Sequence, residues 1–229
     1  MLRRRASGQP PPPGSVRFGD LRRLRPLSER FGFDRGKPID RYYIEDFLSR
    51  HAGDIQGRVL EFGDASYTRR FGEGVAGSDV IDIDESNPRA TIVGDLTRAD
   101  HVGSDSFDCV ICTQVLLLIF DVRAAIRTLE RILRPGGVLL ATVPGITKVS
   151  RGEAELWGDY WRFTAQSARR LFGDVFPPDA VHVEAHGNVL AAVAFLHGLA
   201  ADELSSRELD AHDPDFEVTV AVRAAKAPA

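Results

Sequence analysis

Residues 58–72 read RVLEFGDASYTRRFG. Val59, Leu60 and Phe62 form a short apolar run, and Gly63 follows directly. That order predicts a buried strand over 58–62 that ends in a tight turn. A turn built to cradle a pyrophosphate repeats glycine as G-x-G-x-x-G, so that backbone can approach the ligand closely. Here those positions hold Gly63, Ala65 and Tyr67. Glu61 and Asp64 flank the turn and would repel a pyrophosphate. Two carboxylates suit a cationic ligand instead, one with an ammonium and a sulfonium.

Downstream, the same kind of strand recurs. SDVIDID (78–84), ATIV (90–93), FDCVICT (107–113) and VLLATV (138–143) read as further strands. Between the last two lies DVRAAIRTLERIL (121–133), with Val122, Ala125, Ile126, Leu129, Ile132 and Leu133 on one helical face and Asp121 as N-cap. RPGG (134–137) ends it. Strands without polar alternation, separated by helices, indicate a parallel sheet covered on both faces. Further on, AQSARRLF (165–172) reads as a helix, AVHVEA (180–185) as a strand, NVLAAVAFLHGLAADEL (188–204) as a helix and FEVTVAVRA (216–224) as the last strand. Upstream, Pro38 can open a helix running to about Arg50, with Gly53 beyond it.

The expected organisation is three-part. Residues 1–25 carry seven arginines, one acid and the run GQPPPPGS, and read as a disordered basic, proline-rich tail. Residues 26–57 form a helical lid segment, and 58–229 the main domain. At 43% hydrophobic and 27% charged, the 229-residue chain has an ordinary globular composition. Its net charge of −4 disfavours general nucleic-acid binding, and no apolar run is long enough to cross a bilayer. The arginines at 3–5 lack an apolar segment after them, so a cytoplasmic location is expected. Cys109 and Cys112 form CVIC, but residues three apart on a strand face opposite ways, so they read as buried small hydrophobes rather than a metal pair. No His and acid cluster at metal spacing is present, and no metal is expected.

Ligands of open parallel sheets sit beyond the C-terminal strand ends. Those ends carry Glu61 and Gly63, then Asp82 and Asp84, then Asp95, then Thr113 and Gln114. Asp82 follows the turn at the spacing that places an acid on ribose hydroxyls. VLEFGDAS, VIDID, GDLT and SFDCVICTQVLLLIFDVRAAIRTLERILRPGGVLLATVPG together resemble the class I S-adenosylmethionine-dependent methyltransferases, type 11-like, over roughly residues 58–145. FGFDRGKPIDRYYIEDFL and WGDYWRFT are similar to segments of glycan and natural-product methyltransferases.

The resemblance implies an α/β, doubly wound, seven-stranded Rossmann-like sheet, mostly parallel with the last strand antiparallel. It implies S-adenosylmethionine as cofactor and a small-molecule or glycan acceptor, methylated on oxygen. Glu61 would orient the methionine amine and Gly63 would be the first cofactor glycine, with Asp64 beside it. Asp82, with Asp84 as rival, would hold the ribose. Asp95 would lie near the adenine amine with Leu96 beside it, and Gln114 would line the methionine end. Ala65 departs from the pattern and would narrow the approach to the cofactor. Tyr42 would close over the sulfonium. The base candidates are His186 and Asp159, then His182 and Asp40. Trp157, Tyr160, Trp161 and Arg162 would wall the acceptor. A methyltransferase-like binding module without activity is the alternative, and a homodimer is compatible with the sequence.

Overall fold

The computed structural model describes residues 10–229; the three arginines at 3–5 lie outside them. The order of elements is α1 (Ile39–Arg50), β1 (Gly57–Phe62), α2 (Ser66–Phe71), β2 (Val75–Asp82), β3 (Ile92–Val93), β4 (Phe107–Thr113), α3 (Val122–Ile132), β5 (Leu133–Pro144), α4 (Arg151–Leu156), α5 (Ala165–Gly173), β6 (Val181–His186), α6 (Val189–Leu196), α7 (Ser206–Asp210) and β7 (Thr219–Ala225). One seven-stranded sheet runs β3-β2-β1-β4-β5-β7-β6. The pairs β1–β2, β1–β4, β2–β3 and β4–β5 are parallel. β7 is antiparallel to β5 and to β6. The chain reverses between β1 and β4, which opens a crevice at the strand ends there.

Two cores cover the sheet. The amphipathic α3 buries Val122, Ala125, Ile126, Leu129 and Ile132 on one face, with Leu60, Val110, Cys112, Leu139 and α5's Phe172. On the other face α1 buries Ile44, Phe47 and Leu48 against Val59, Cys109, Ile111 and Leu140. Cys109 and Cys112 thus belong to opposite cores, as their odd spacing requires, and burial pushes both thiols far above their usual pKa.

Three differences from the sequence reading have local causes. The helix expected over 188–204 stops at Leu196, because Gly198 takes φ +70° and its N–H donates to the Phe195 carbonyl at 2.9 Å. That is a glycine-terminated helix end. RPGG is absorbed into the irregular start of β5, where the pairing shifts register between Phe107 and Cys109. Three short helices, α2, α4 and α7, were not expected at all.

Candidate cofactor and acceptor site

The turn after β1 is held from inside the protein. Glu61 is buried, and its carboxylate accepts the Tyr67 N–H at 3.0 Å, the Thr68 N–H at 2.8 Å and the Thr68 hydroxyl at 2.7 Å. It therefore supplies the first-turn acceptors that α2 lacks in its own N-cap residue, Ala65. Burial raises its pKa, opposed by those hydrogen bonds. Both oxygens face protein donors, so Glu61 acts on the loop.

Gly63 adopts φ +74°, and a Cβ there would meet nothing within 4 Å. The backbone demands glycine while the space beside it stays open. Ala65 sits at φ −109°, a conformation any residue adopts, and its methyl is buried. Its place in the turn needs no glycine. Asp64 Oδ1 accepts the Ser66 N–H at 2.8 Å, and its other oxygen lies 3.4 Å from Arg89 Nη1.

Asn87 ties the turn to the next strand end. Its Nδ2 donates to the Gly63 carbonyl at 2.7 Å and to Asp82 Oδ2 at 2.6 Å. Asp82 Oδ1 accepts the Asp84 N–H at 3.0 Å, which leaves lone pairs on both oxygens for further donors. Asp84 Oδ1 accepts the Ser86 N–H of its own turn at 2.8 Å. Asp95 likewise accepts from the Thr97 amide and hydroxyl, at 2.8 and 2.9 Å, and Leu96 is buried in the core.

A cleft of about 570 Å³ opens between α1 and this turn, lined among others by Glu61, Gly63, Asp64, Arg41 and Thr113. A smaller cavity of about 140 Å³ adjoins it, sharing Phe33, Arg41 and Thr113 and adding Asp40, Gln114, Lys148 and Asp159. Gln114 has φ +55°, a strained conformation for a residue with a side chain. Its Nε2 is buried without a protein partner. A strained residue with an orphaned donor at a strand end is the pattern of a ligand-facing position.

Tyr42 is not part of the cleft lining. Its hydroxyl donates to Asp210 Oδ1 at 2.6 Å, tying α1 to α7, and its pKa is pushed up to about 12, chiefly by that bond. Its neighbour Arg41 faces the turn instead, with Nη1 3.0 Å from the Tyr67 hydroxyl. Lys37 and Arg70 also line the cleft, both paired with Glu45 at 2.5 and 2.7 Å. The turn read alone had suggested an acidic site; the tertiary structure adds three cations.

The base candidates separate clearly. Asp159 is paired with Arg162 and accepts the Ser150 N–H at 3.0 Å. The Arg162 hydrogen bond holds its pKa below the usual range, which suits an anchor and weakens a base. Arg162 also donates to the Lys148 carbonyl at 2.9 Å, so the pair pins the 147–150 loop that walls the small cavity. His186 stacks on Tyr43 at 5.5 Å, with Nε2 3.3 Å from Glu184, beneath α1 and lining neither space. His182 is exposed. Asp40 lines the small cavity, accepts the Arg41 N–H at 2.8 Å, and has its pKa raised by burial. Of the expected aromatic wall, Tyr160 and Trp161 pack on Phe120, with Trp161 Nε1 donating to the Ile119 carbonyl at 3.0 Å. Among the described residues no cluster of His, Cys or acids could hold a metal ion.

Comparison with known proteins bears on the fold. A family described as "Methyltransferase domain" matches residues 64–141, from the cofactor turn to β5. No curated protein sequence matches the chain. Among solved structures, an S-adenosylmethionine-dependent methyltransferase from Mesorhizobium loti superposes with a TM-score of 0.54 at 18% identity, covering 85% of this chain and 100% of that one. The N-methyltransferase NodS from Bradyrhizobium japonicum, solved with S-adenosyl-L-homocysteine, gives 0.51 at 17% identity, covering 87% and 94%. The [4+2]-cyclase SpnF gives 0.53 at 15% identity, covering 82% of each. The fold is the Rossmann-like fold of the class I methyltransferases, and the methyltransferase-domain match implies S-adenosylmethionine as cofactor. The open space at Gly63 and the orphaned Gln114 amide fit such a ligand.

Proposed function

We propose that this protein is an S-adenosylmethionine-dependent methyltransferase acting on a small-molecule or glycan acceptor, with oxygen as the atom methylated. The observation that supports the reading is the junction of the two spaces at Thr113 and Arg41: a larger cleft at the β1 end adjoins a smaller cavity at the β4 end, and in this reading they take the cofactor and the acceptor. S-adenosylmethionine supplies an electrophilic methyl group on a sulfonium, open to direct displacement by an aligned nucleophile. The chain's own residues then have distinct tasks. Glu61 fixes the turn by capping α2. Gly63 keeps backbone bulk away from the ligand. Asp82, oriented by Asn87, accepts ribose hydroxyls. Gln114 offers its unpaired Nε2 to the methionine end.

Asp40 is the proton acceptor in this reading, displacing His186 and Asp159. An acceptor hydroxyl must lose its proton in or near the transition state. A carboxylate whose pKa is raised by burial is a stronger base than an exposed one, and Asp40 lines the cavity where that hydroxyl would sit. Asp159 and Arg162 hold the opposite wall rigid.

Lys37, Arg41 and Arg70 favour a second reading, a methyltransferase-like binding module, because they match the cleft's acids Glu45, Glu61 and Asp64 in number and so remove the net attraction for a sulfonium. Titration calorimetry with S-adenosylmethionine and S-adenosylhomocysteine separates the two. Micromolar binding of both supports the enzyme and justifies a screen of hydroxylated acceptors with a labelled methyl group. Absence of binding at millimolar ligand supports the module.

A further inference from the structure

The helix α6 presents an apolar stripe to solvent at the edge of the molecule. Val189, Leu190, Val193 and Leu196 are 51, 45, 39 and 42% exposed, while Ala191, Ala192, Ala194 and Phe195 turn inward. The spacing of 189, 193 and 196 puts three of them along one line of the helix. The helix carries no charged side chain between Val189 and Leu196.

A basic segment starts where this stripe ends. The Leu27 and Ser28 N–H groups both donate to the His197 carbonyl, at 2.8 and 3.1 Å. Gly198 permits the contact: a Cβ there would stand 2.4 Å from the Ser28 carbonyl oxygen. The chain immediately before this anchor, residues 16–25, reads VRFGDLRRLR, four arginines against one acid. None of the four forms an ion pair with another described residue. Val16, Phe18 and Leu24 are exposed between them, and the Arg22 guanidinium lies over the Phe18 ring at 5.6 Å. So apolar and cationic side chains alternate on a segment pinned to the end of an apolar helix face. The protein as a whole is acidic, at −4, which makes this local charge a contrast.

We propose that this face docks the protein on an anionic phospholipid bilayer. The α6 stripe and Val16, Phe18 and Leu24 would enter the headgroup–acyl boundary, and Arg17, Arg22, Arg23 and Arg25 would pair with lipid phosphates. The charge complementarity decides the occupant: a second copy of this face would oppose one arginine cluster to another. No helix among the described residues is long and apolar enough to cross a membrane, so the contact is peripheral. The proposal stands whether or not the chain transfers methyl groups.

The test is flotation of the full chain with vesicles of phosphatidylglycerol and phosphatidylcholine, against vesicles of phosphatidylcholine alone. Binding is expected only to the anionic vesicles. Changing Arg22 and Arg23 to Ser should weaken it about fivefold per arginine. Changing Val189, Val193 and Leu196 to Ser, all exposed and so compatible with folding, should weaken it at least tenfold, roughly, at unchanged circular dichroism. Three outcomes overturn the proposal. One is no flotation with either vesicle. Another is flotation indifferent to the α6 substitutions and abolished by salt, which marks the arginines alone as a non-specific polycation. The third is a dimer in solution that the α6 substitutions dissolve, without vesicle binding, which makes the occupant a second copy.

Discussion

Glu61 holds Thr68 twice, through the backbone N–H at 2.8 Å and the hydroxyl at 2.7 Å, across the glycine turn that separates β1 from α2. A single buried carboxylate thereby ties the start of α2 to the end of β1. Glu61→Ala would leave the Tyr67 and Thr68 amides and the Thr68 hydroxyl without acceptors. Each such group costs about 1–3 kcal/mol when it stays buried, and relaxation of the loop recovers part of that. A loss of about 2–4 kcal/mol in urea unfolding is expected, on the same grounds. Calorimetry should show S-adenosylmethionine affinity falling with it. A variant of unchanged stability would mean that α2 does not depend on this cap.

The two small residues of the turn should respond differently. Gly63→Ala forces a side chain into the left-handed region, at a cost of about 1–2 kcal/mol. Its methyl would also enter the open space beside the turn, so ligand affinity should fall further than stability does. Ala65→Gly changes a residue already at negative φ, and its effect on affinity should stay within about 0.5 kcal/mol. A large gain in affinity for Ala65→Gly would show that the alanine methyl does obstruct the cofactor.

Asp82 and Asp84 are two residues apart and are separated by what they touch. Asp82 is coupled to the Gly63 carbonyl through Asn87, whereas Asp84 accepts from Ser86 of its own turn. Asp82→Ala should weaken S-adenosylmethionine binding by about 1.5–3 kcal/mol, the range for hydrogen bonds to a charged group. Asp84→Ala should change it little. The reverse ranking in calorimetry would move the ribose site to Asp84.

The sheet was legible in the sequence because its central strands are buried on both faces and read as near-continuous apolar runs, as in CVIC and VLLATV. The helix α3 was legible from its stripe and its Asp121 cap, which accepts the Ala124 N–H at 3.0 Å. The helix α2 was not, because its capping group comes from Glu61 on the preceding strand and no local residue signals a start. Of the candidate site residues read from the strand ends, Gly63 lines the larger cleft and Gln114 the smaller cavity, while Asp82 ends β2 and joins the turn through Asn87. Tyr42 stood out for its aromatic ring and Arg41 did not, yet on α1 the two residues point about a quarter-turn apart, and it is Arg41 that lines the cleft. Asp40 stood among the base candidates without distinction, since the residues that line the cavity with it, at 113–114 and 147–159, are far away in the chain.

Asp40 gives the last prediction, through pH. Burial raises its pKa above the ordinary 3.8, outweighing the pull of Arg41. The folded state therefore holds the Asp40 proton more tightly than the unfolded chain does. Between the unfolded and the folded pKa, stability falls as pH rises, because folding must then either keep a proton or bury a charge. Glu61 works in the same direction, so a single variant removes only part of the slope. Glu184 works the other way: burial raises it, but His186 and Arg50 bring it to about 2, so its contribution is present above its ordinary 4.5 and lost as pH falls towards 2. Asp40→Asn removes the buried charge while keeping the size of the side chain. Its stability relative to the parent should rise as pH climbs above about 4 and then level off once Asp40 is ionised in both states. Urea unfolding across that range reads the difference directly. S-adenosylmethionine affinity should be nearly unchanged, while methyl transfer to any hydroxyl acceptor found in a screen should fall by about 10²–10⁴, the usual contribution of a general base. A flat stability difference would mean that Asp40 is solvated, and unimpaired transfer would return the proton acceptor to another residue of the cavity.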